Sequence, residues 1–220
     1  EEMQFDALKM DVKNNGEIIF AEDATLKIPN KNIKIVSKNI EYNKNMKFLK
    51  LTSNVFFYDK KNNLTIESDK ISYDKKKEIL FSEGKTKIVL ENKYVLNSND
   101  IYFNRASNKI FGNKGAIIED YNKNIYKLKN AFEFDISQKI IKTKKSFIID
   151  KYNNKYIFED LMINLNSNEI AGKEIKVEFE NSYFGNSEND PLLKGKSAYS
   201  DEKELKIYKA VFSTCNTSGK

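Results

Sequence analysis

The sequence predicts an all-β protein, an antiparallel repeat of about fourteen strands. Two observations carry this prediction. A unit of about 31 residues recurs along the chain, and apolar residues alternate with polar ones between clusters of Asp, Asn and Lys. Period-two alternation is typical of strands that bury one face, and Asp/Asn clusters are typical of tight turns. Each repeat unit is therefore interpreted as two strands joined by two turns.

The repeat is marked by a short motif, apolar-x-apolar followed by Asp or Asn. Its six copies are Leu8-x-Met10-Asp11, Ile40-x-Tyr42-Asn43, Ile71-x-Tyr73-Asp74, Ile101-x-Phe103-Asn104, Phe132-x-Phe134-Asp135 and Ile163-x-Leu165-Asn166. A seventh, degenerate copy ends at Asp201, after a polar insertion from Gly185 to Pro191. The motif carboxylates are interpreted as turn formers, because three of the six positions hold Asn, which cannot transfer a proton.

The strands are long, and several carry a polar or glycine interruption near the middle. These interruptions are Ser68-Asp69, Gly84, Ser98 to Asp100, Gly112 to Gly115 and Gly172. Such positions allow a bend or a bulge. Bending every strand folds one sheet into two facing leaves, which buries its apolar face. We therefore expect one elongated domain, a V-sectioned β-jellyroll with an apolar lining.

The inward positions of the motif are the candidate ligand-binding residues. They are Ile40, Tyr42, Ile71, Tyr73, Ile79, Phe81, Ile101, Phe103, Phe132, Phe134, Ile163 and Leu165. Singly, each is explained by core packing. Together, if the leaves are splayed, they would line an apolar slot for acyl chains. An open end of the sheet would also offer an unpaired strand edge for docking by strand addition.

The composition argues against an enzyme. The chain has no His, one Cys (Cys215) and one Arg (Arg105), so Ser-His-Asp chemistry and CxxC sites are excluded. No phosphate-binding loop is present, and we expect no metal site and no cofactor. The net charge of +6 comes almost entirely from Lys, so we do not expect nucleic-acid binding, which favours Arg.

The repeated pattern apolar-x-Tyr/Phe-Asp/Asn, turn, apolar, Gly resembles the OstA-type repeat of lipopolysaccharide-transport proteins, which include LptA, LptC and the N-terminal domain of LptD. The resemblance covers roughly residues 5 to 212. The C-terminal stretches from Asn189 to Ala198 and from Lys209 to Cys215 are similar to the segment that closes the periplasmic domain of the LptD family, just before its β-barrel.

The resemblance implies a periplasmic OstA-like jellyroll over residues 1–212 of an outer-membrane protein, and a linker over residues 213–220 that leads to a barrel missing from this chain. It implies that lipopolysaccharide (LPS) arrives from an LptA-like bridge protein by edge-strand addition. The lipid part would pass to the barrel, which would associate with an LptE-like lipoprotein. Cys215 is the implied disulfide candidate, with its partner in the barrel.

Two other interpretations stay open. The chain could be a free-standing LptA-like LPS bridge protein. It could also be a structural β-repeat protein, such as an adhesin stalk, with a closed dry core and no ligand. A carbohydrate-active β-solenoid enzyme has little support, because no carboxylate cluster recurs outside the turns.

Overall fold

The computed structural model describes residues 2–150, 152–180, 191–201 and 203–213, and within these ranges the chain is all-β, as predicted. Two short 3-10 turns, Asn14–Gly16 and Pro29–Lys31, interrupt the strands. Contacts divide the chain into two compact units, Glu1–Gly112 and Asn113–Lys220. Cys215 and the insertion from Gly185 to Asp190 lie outside the described residues.

Unit 1 is a meander of nine described strands, in which each strand pairs antiparallel with the next or shares a partner with its neighbour. The strands are β1 (Gln4–Lys13), β2 (Ile18–Ile28), β3 (Ile33–Asn43), β4 (Phe48–Asp59), β5 (Leu64–Asp74), β6 (Ile79–Leu90), β7 (Tyr94–Asn99), β8 (Ile101–Asn104) and β9 (Lys109–Gly112). Both β7 and β8 pair with β6, so together they occupy the place of one long strand.

Unit 2 continues the same pattern. Its described strands are β10 (Ala116–Glu119), β11 (Ile125–Leu128), β12 (Phe132–Asp135), β13 (Ile140–Ile149), β14 (Lys155–Asn164), β15 (Glu169–Glu178), β16 (Leu192–Ser200), β17 (Leu205–Tyr208) and β18 (Val211–Ser213). Strands β11 and β12 both pair with β13, and β17 and β18 both pair with β16. More strands are described than the predicted fourteen, because at several positions two short strands pair with one long strand where a single long strand was predicted.

The long strands bend near their middles, where local backbone conformation breaks the ladder. Gly84 has a φ of +81° and Asp100 a φ of +52°. The pairing of β5 with β6 shifts register between Ser68 and Lys70. A bend was expected at Gly172, but the residue with positive φ in β15 is Glu174, two positions later. Gly172 instead allows the Phe158 ring to approach, since a Cβ there would lie 2.2 Å from that ring.

Buried hydroxyl groups satisfy the carbonyls that the bends release. Ser37 Oγ donates to the carbonyls of Asn39 and Thr52, at 3.0 Å each. In unit 2, Thr143 Oγ1 and Ser146 Oγ lie 3.1 Å apart across the bend of β13. Because buried polar groups need hydrogen-bond partners, small hydroxyl side chains suit the fold line of an otherwise apolar interior.

Alanine substitutions at two glycines test whether the missing side chain matters there for steric reasons as well as for the left-handed conformation. Gly115 has a φ of +76°, and a Cβ there would lie 2.2 Å from the Leu128 carbonyl oxygen, whereas a Cβ on Gly84 would meet nothing within 4 Å. We expect Gly84→Ala to lower the free energy of unfolding by about 1–2 kcal/mol. Gly115→Ala should cost clearly more, because the backbone must also move. Urea denaturation measures both, and equal losses would contradict the steric argument.

Candidate lipid-binding interior

Ten of the twelve candidate lining residues lie in the interior of their unit, each at most 8% exposed. In unit 1 these are Ile40, Tyr42, Ile71, Tyr73, Ile101 and Phe103. In unit 2 they are Phe132, Phe134, Ile163 and Leu165. Their side chains form an apolar interior along each bent sheet, and their contact with a ligand stays a prediction.

The inward orientation predicted for Ile79 and Phe81 is wrong. In the first four residues of β6 the buried ones are Leu80 and Ser82, because Leu80 pairs with the inward Tyr73. Ile79 and Phe81 therefore lie on the outer face, where the Phe81 ring packs 4.5 Å from the Tyr102 ring. Both faces of β6 carry apolar residues at its start, so alternation alone could not decide which face is buried.

Much of the interior comes from the halves of the repeat that the motif does not mark. These buried residues include Leu26, Ile35, Leu49, Leu51, Phe57, Leu64, Ile66, Ile88 and Leu90 in unit 1, and Ile141, Phe158 and Val177 in unit 2. The Phe57 and Tyr73 rings meet edge to face at 5.8 Å. The alternation of these residues is visible in the sequence, but the repeat motif does not include them and so did not predict which of them face inward.

In unit 1 the turns at the two ends of the strands bond to one another. Arg105, in the turn after β8, donates from Nε to Asp59 Oδ2 at the end of β4, at 2.8 Å. Asn62 Nδ2 donates to Asn108 Oδ1 at 3.2 Å. Opposite ends of strands can meet in this way because the strands are bent. We call these contacts, together with those of Lys31 and Glu78 described next, the seam; they enclose the interior of unit 1.

Opposite charges are paired within the seam. Asp59 is fully buried and Arg105 is 8% exposed, and Arg105 also donates to Glu78 Oε2 at 3.2 Å and to the Lys31 carbonyl. Lys31 pairs with Glu78 and donates to the Lys75 carbonyl. Burial opposes the charged form of Glu78, but the Lys31 hydrogen bond and the charges of Lys31 and Arg105 outweigh it, and the pKa of Glu78 falls below 4.5.

The pKa of Arg105 is raised although burial opposes its charge, because the Asp59 hydrogen bond and charge outweigh desolvation. Removing one partner of such a buried pair typically costs about 3–5 kcal/mol, since the other charge stays buried and unpaired. Sequence reasoning noted Arg105 as the single arginine but had no signal for this role, because Asp59 is 46 residues away along the chain.

Unit 2 builds its turns from a different device. Asp120 Oδ1 accepts the backbone N–H groups of Asn122 and Asn124, and Asp120 Oδ2 accepts Asn124 Nδ2 and the Tyr126 hydroxyl, all within 2.8–2.9 Å. Asp150 makes the same four bonds to the residues two, four and six positions on. Both segments have the sequence pattern Asp-x-Asn/Tyr-x-Asn-x-Tyr, and these hydrogen bonds show that Asp120 and Asp150 stabilise their turns.

Between its rows of turns, unit 2 has a cleft of about 540 Å³. Its lining residues are Asn122, Asn124, Tyr126, Ile148, Asp150, Tyr152, Tyr156, Phe158, Asn168, Ile170, Ala198, Ser200, Asp201 and Leu205. Of these, Ile148, Phe158 and Ala198 belong to the buried interior, whereas Tyr152 is 61% exposed. The cleft therefore joins the apolar interior of unit 2 to solvent through a rim rich in Asn and Tyr.

This arrangement suits binding of an amphipathic molecule. An apolar chain would fill the interior, and a polar part would stay at the rim of the cleft. Within the described ranges, no three His, Cys, Asp or Glu residues are grouped as metal ligands would be. No helix in the described part of the chain is long and apolar enough to cross a membrane.

Comparison with solved structures found LptH from Pseudomonas aeruginosa, whose crystal structure is described as the LptA homologous periplasmic component of the conserved lipopolysaccharide transport device. The two chains are 8% identical. The similarity covers 66% of this chain and 82% of LptH, with a TM-score of 0.27. No curated protein matches the chain.

Comparison with protein families found that residues 2–79 match the model of a family described as LptA/(LptD N-terminal domain) LPS transport protein. The matched segment runs from the N-terminal end of unit 1 to the first residue of β6. It includes the first three copies of the repeat motif. Over residues 2–79 the chain therefore resembles the LptA and LptD N-terminal family of LPS transport proteins, which confirms there the resemblance inferred from the repeat.

Proposed function

We propose that residues 1–212 form a periplasmic LPS-carrying jellyroll of an LptD-like outer-membrane protein. It accepts LPS from an LptA-like bridge and passes the lipid part to a membrane barrel with an LptE-like partner. The observation that carries the proposal is the apolar interior of unit 2, which opens to solvent through a cleft with a polar rim. The family resemblance of residues 2–79 supports the choice of LPS.

The mechanism needs no catalysis. Acyl chains would lie against the buried lining while sugars and phosphates stay at the rim. Burial of each CH₂ group contributes about 0.8 kcal/mol, so a chain moves only where the next stretch of lining replaces the contacts it leaves. Directionality would come from an energy-using partner. Continuity of the interior within each unit is therefore the structural requirement.

The first strand supports docking of a bridge protein. Strand β1 pairs with β2, and its side chains from Leu8 to Lys13 are all exposed. Leu8 is 82% exposed, Met10 54% and Val12 53%. Strand addition uses exposed backbone for affinity and alternate side chains for specificity, so an LptA-like strand beside β1 would cover apolar side chains.

A structural repeat protein without a ligand is the second candidate, and the closure of unit 1 favours it. Tyr73 and Phe103 are fully buried, and the seam joins the turns over them. The two candidates differ in one observable. An LPS carrier must admit acyl chains to this interior, and a scaffold never does.

Site-specific photo-crosslinking to LPS distinguishes the two. A benzophenone probe at Phe134, in unit 2 with the cleft, is expected to form LPS adducts, and a probe at Phe103 should form them when unit 1 opens. The matched controls are Glu133 and Tyr102, each one residue away, because successive strand residues point to opposite faces. Each variant must keep a cooperative thermal transition. Equal adducts at Phe134 and Glu133, or none at either, would contradict a lipid-carrying interior.

The seam supplies a second prediction. Glu78→Gln keeps a hydrogen-bonding side chain but removes the charge that faces Lys31 and Arg105. We expect it to raise the adduct yield at Phe103 about threefold or more, since a loss of about 0.7–1 kcal/mol changes an equilibrium by that factor. The yield at Phe134 should not change.

The same residue gives this yield a pH dependence. Because the folded pKa of Glu78 lies below 4.5, its stabilisation of the seam is present above pH 4.5 and is lost as the pH falls through the folded pKa. The wild-type yield at Phe103 should therefore rise in that acidic range, and the Glu78→Gln protein should lack this part of the rise. Identical pH profiles would show that Glu78 does not control access.

A further inference from the structure

The outer face of unit 2 carries a row of lysines around an apolar centre. The cross-strand pairs Lys127–Phe147, Phe147–Ile157, Ile157–Lys176 and Lys176–Lys194 follow one another across five strands. Directly paired residues share a face of the sheet. The buried residues of β13 are Ile141, Thr143, Ser146 and Ile148, so Phe147 lies on the face away from the interior.

Three ammonium groups surround the Phe147 ring. The Nζ atoms of Lys127, Lys129 and Lys155 lie 5.5, 5.3 and 5.1 Å from its centroid. Each contact is a favourable cation–π interaction. Three like charges beside one ring also repel one another, so an anion brought to this face would relieve that repulsion.

One carboxylate offsets part of this charge. Glu178 pairs with Lys176 at 2.6 Å and with Lys155 at 3.1 Å. The hydrogen bond from Lys176 and the Lys155 contacts outweigh burial, and the pKa of Glu178 is lowered. We call Lys127, Lys129, Lys155, Lys176 and Lys194 around Phe147 and Ile157 the lysine face. With Glu178 ionised, it keeps a formal charge of about +4.

At three other places on the outer faces of the units, a lysine pairs with a carboxylate on the neighbouring strand. Lys9 pairs with Glu22, Lys70 with Glu83, and Lys144 with Asp160. Such surface pairs are the ordinary way in which a sheet face stays neutral. The lysine face departs from this pattern, because a single carboxylate serves two of its lysines.

The chemistry of the lysine face fits a lipid surface best. A nucleic-acid site would use Arg for phosphate contacts and several aromatic rings for stacking, and here the cations are Lys and the ring is one Phe. A protein interface would deplete Lys from its centre. An apolar centre flanked by lysines, whose long stems can reach along the surface, matches the boundary of a bilayer with anionic head groups.

We propose that the lysine face of unit 2 docks on a bilayer surface that contains anionic phospholipid. Phe147 and Ile157 meet the head-group boundary, and the lysines contact lipid phosphates. The face points away from the interior, so docking leaves the lining and the bound ligand untouched. The proposal therefore stands or falls independently of LPS carriage.

The test is co-sedimentation of the full chain with vesicles that contain no LPS, made of phosphatidylcholine alone or with 30% phosphatidylglycerol. We expect binding to the anionic vesicles that falls as salt rises from 50 to 500 mM, because surface charges are screened. The double variant Lys127→Glu/Lys129→Glu is expected to weaken binding at least about tenfold, since each cation near an anionic surface contributes measurably.

The matched control is Lys142→Glu/Lys144→Glu. It makes the same change of net charge with two exposed lysines of β13 that lie on the other side of the Lys145 bend. It should change binding less than about threefold, and Phe147→Ser should weaken binding without changing its salt dependence. Circular dichroism melts confirm that each variant folds.

Several outcomes would overturn the proposal. Equal weakening by both double variants would show attraction by net charge alone. Equal binding to neutral vesicles would remove the role of the lysines, and complete competition by millimolar inorganic phosphate would indicate a site for a free anion. If no LPS adducts form at Phe134 while vesicle binding is intact, LPS carriage is contradicted, and the proposal that the lysine face docks on a bilayer is supported.

Discussion

The bend near the middle of each long strand is the constraint on which the rest of the structure depends. A straight antiparallel sheet of this length would leave its apolar face in water. Bending lets one sheet bury that face against itself, at the cost of broken ladder bonds that Ser37, Thr143 and other hydroxyls repair. The bend also brings opposite ends of the strands together. The seam of unit 1 and the cleft of unit 2 both follow from it.

The two units differ in how their strand ends meet. Unit 1 closes with the Arg105–Asp59 pair, and the rim of unit 2 is crossed by a neutral hydrogen bond from Asn168 to the Tyr121 hydroxyl, at 3.3 Å. Opening the seam exposes the Arg105–Asp59 pair to water, and hydration of the two charges offsets part of their lost attraction. Burying about five CH₂ groups contributes about 4 kcal/mol, which is comparable to the cost of breaking such a pair. Under the proposed function, an entering acyl chain would therefore open unit 1.

The sequence contained the local rules of this fold. The 31-residue period, the alternation and the interruptions at Ser68, Gly84 and Asp100 predicted strands, turns and bends, because each depends on neighbours along the chain. The burial of ten lining positions also followed from the motif. The assignment failed at Ile79 and Phe81, where both faces of the strand are apolar and only the pairing of Leu80 with Tyr73 decides the register.

The long-range contacts could not be predicted from the sequence. Arg105 and Asp59 are 46 residues apart in the chain. The lysines around Phe147 lie on or directly after other strands, and they meet its ring only after the strands have paired in register. No local sequence pattern predicts such a contact. The cleft of unit 2 belongs to the same class, since its lining comes from turns and strands spread from Asn122 to Leu205.

If unit 1 carries LPS as proposed, the seam must part when lipid enters. Electron–electron double resonance between spin labels at Lys61 and Ser107, in a Cys215→Ser background, measures the gap between the two rows of turns directly. Both side chains are exposed and neither belongs to the seam. The account predicts one short, narrow distance for the free protein and a longer, broader distribution with LPS. An unchanged distance at saturating LPS would contradict it and leave unit 1 a closed scaffold.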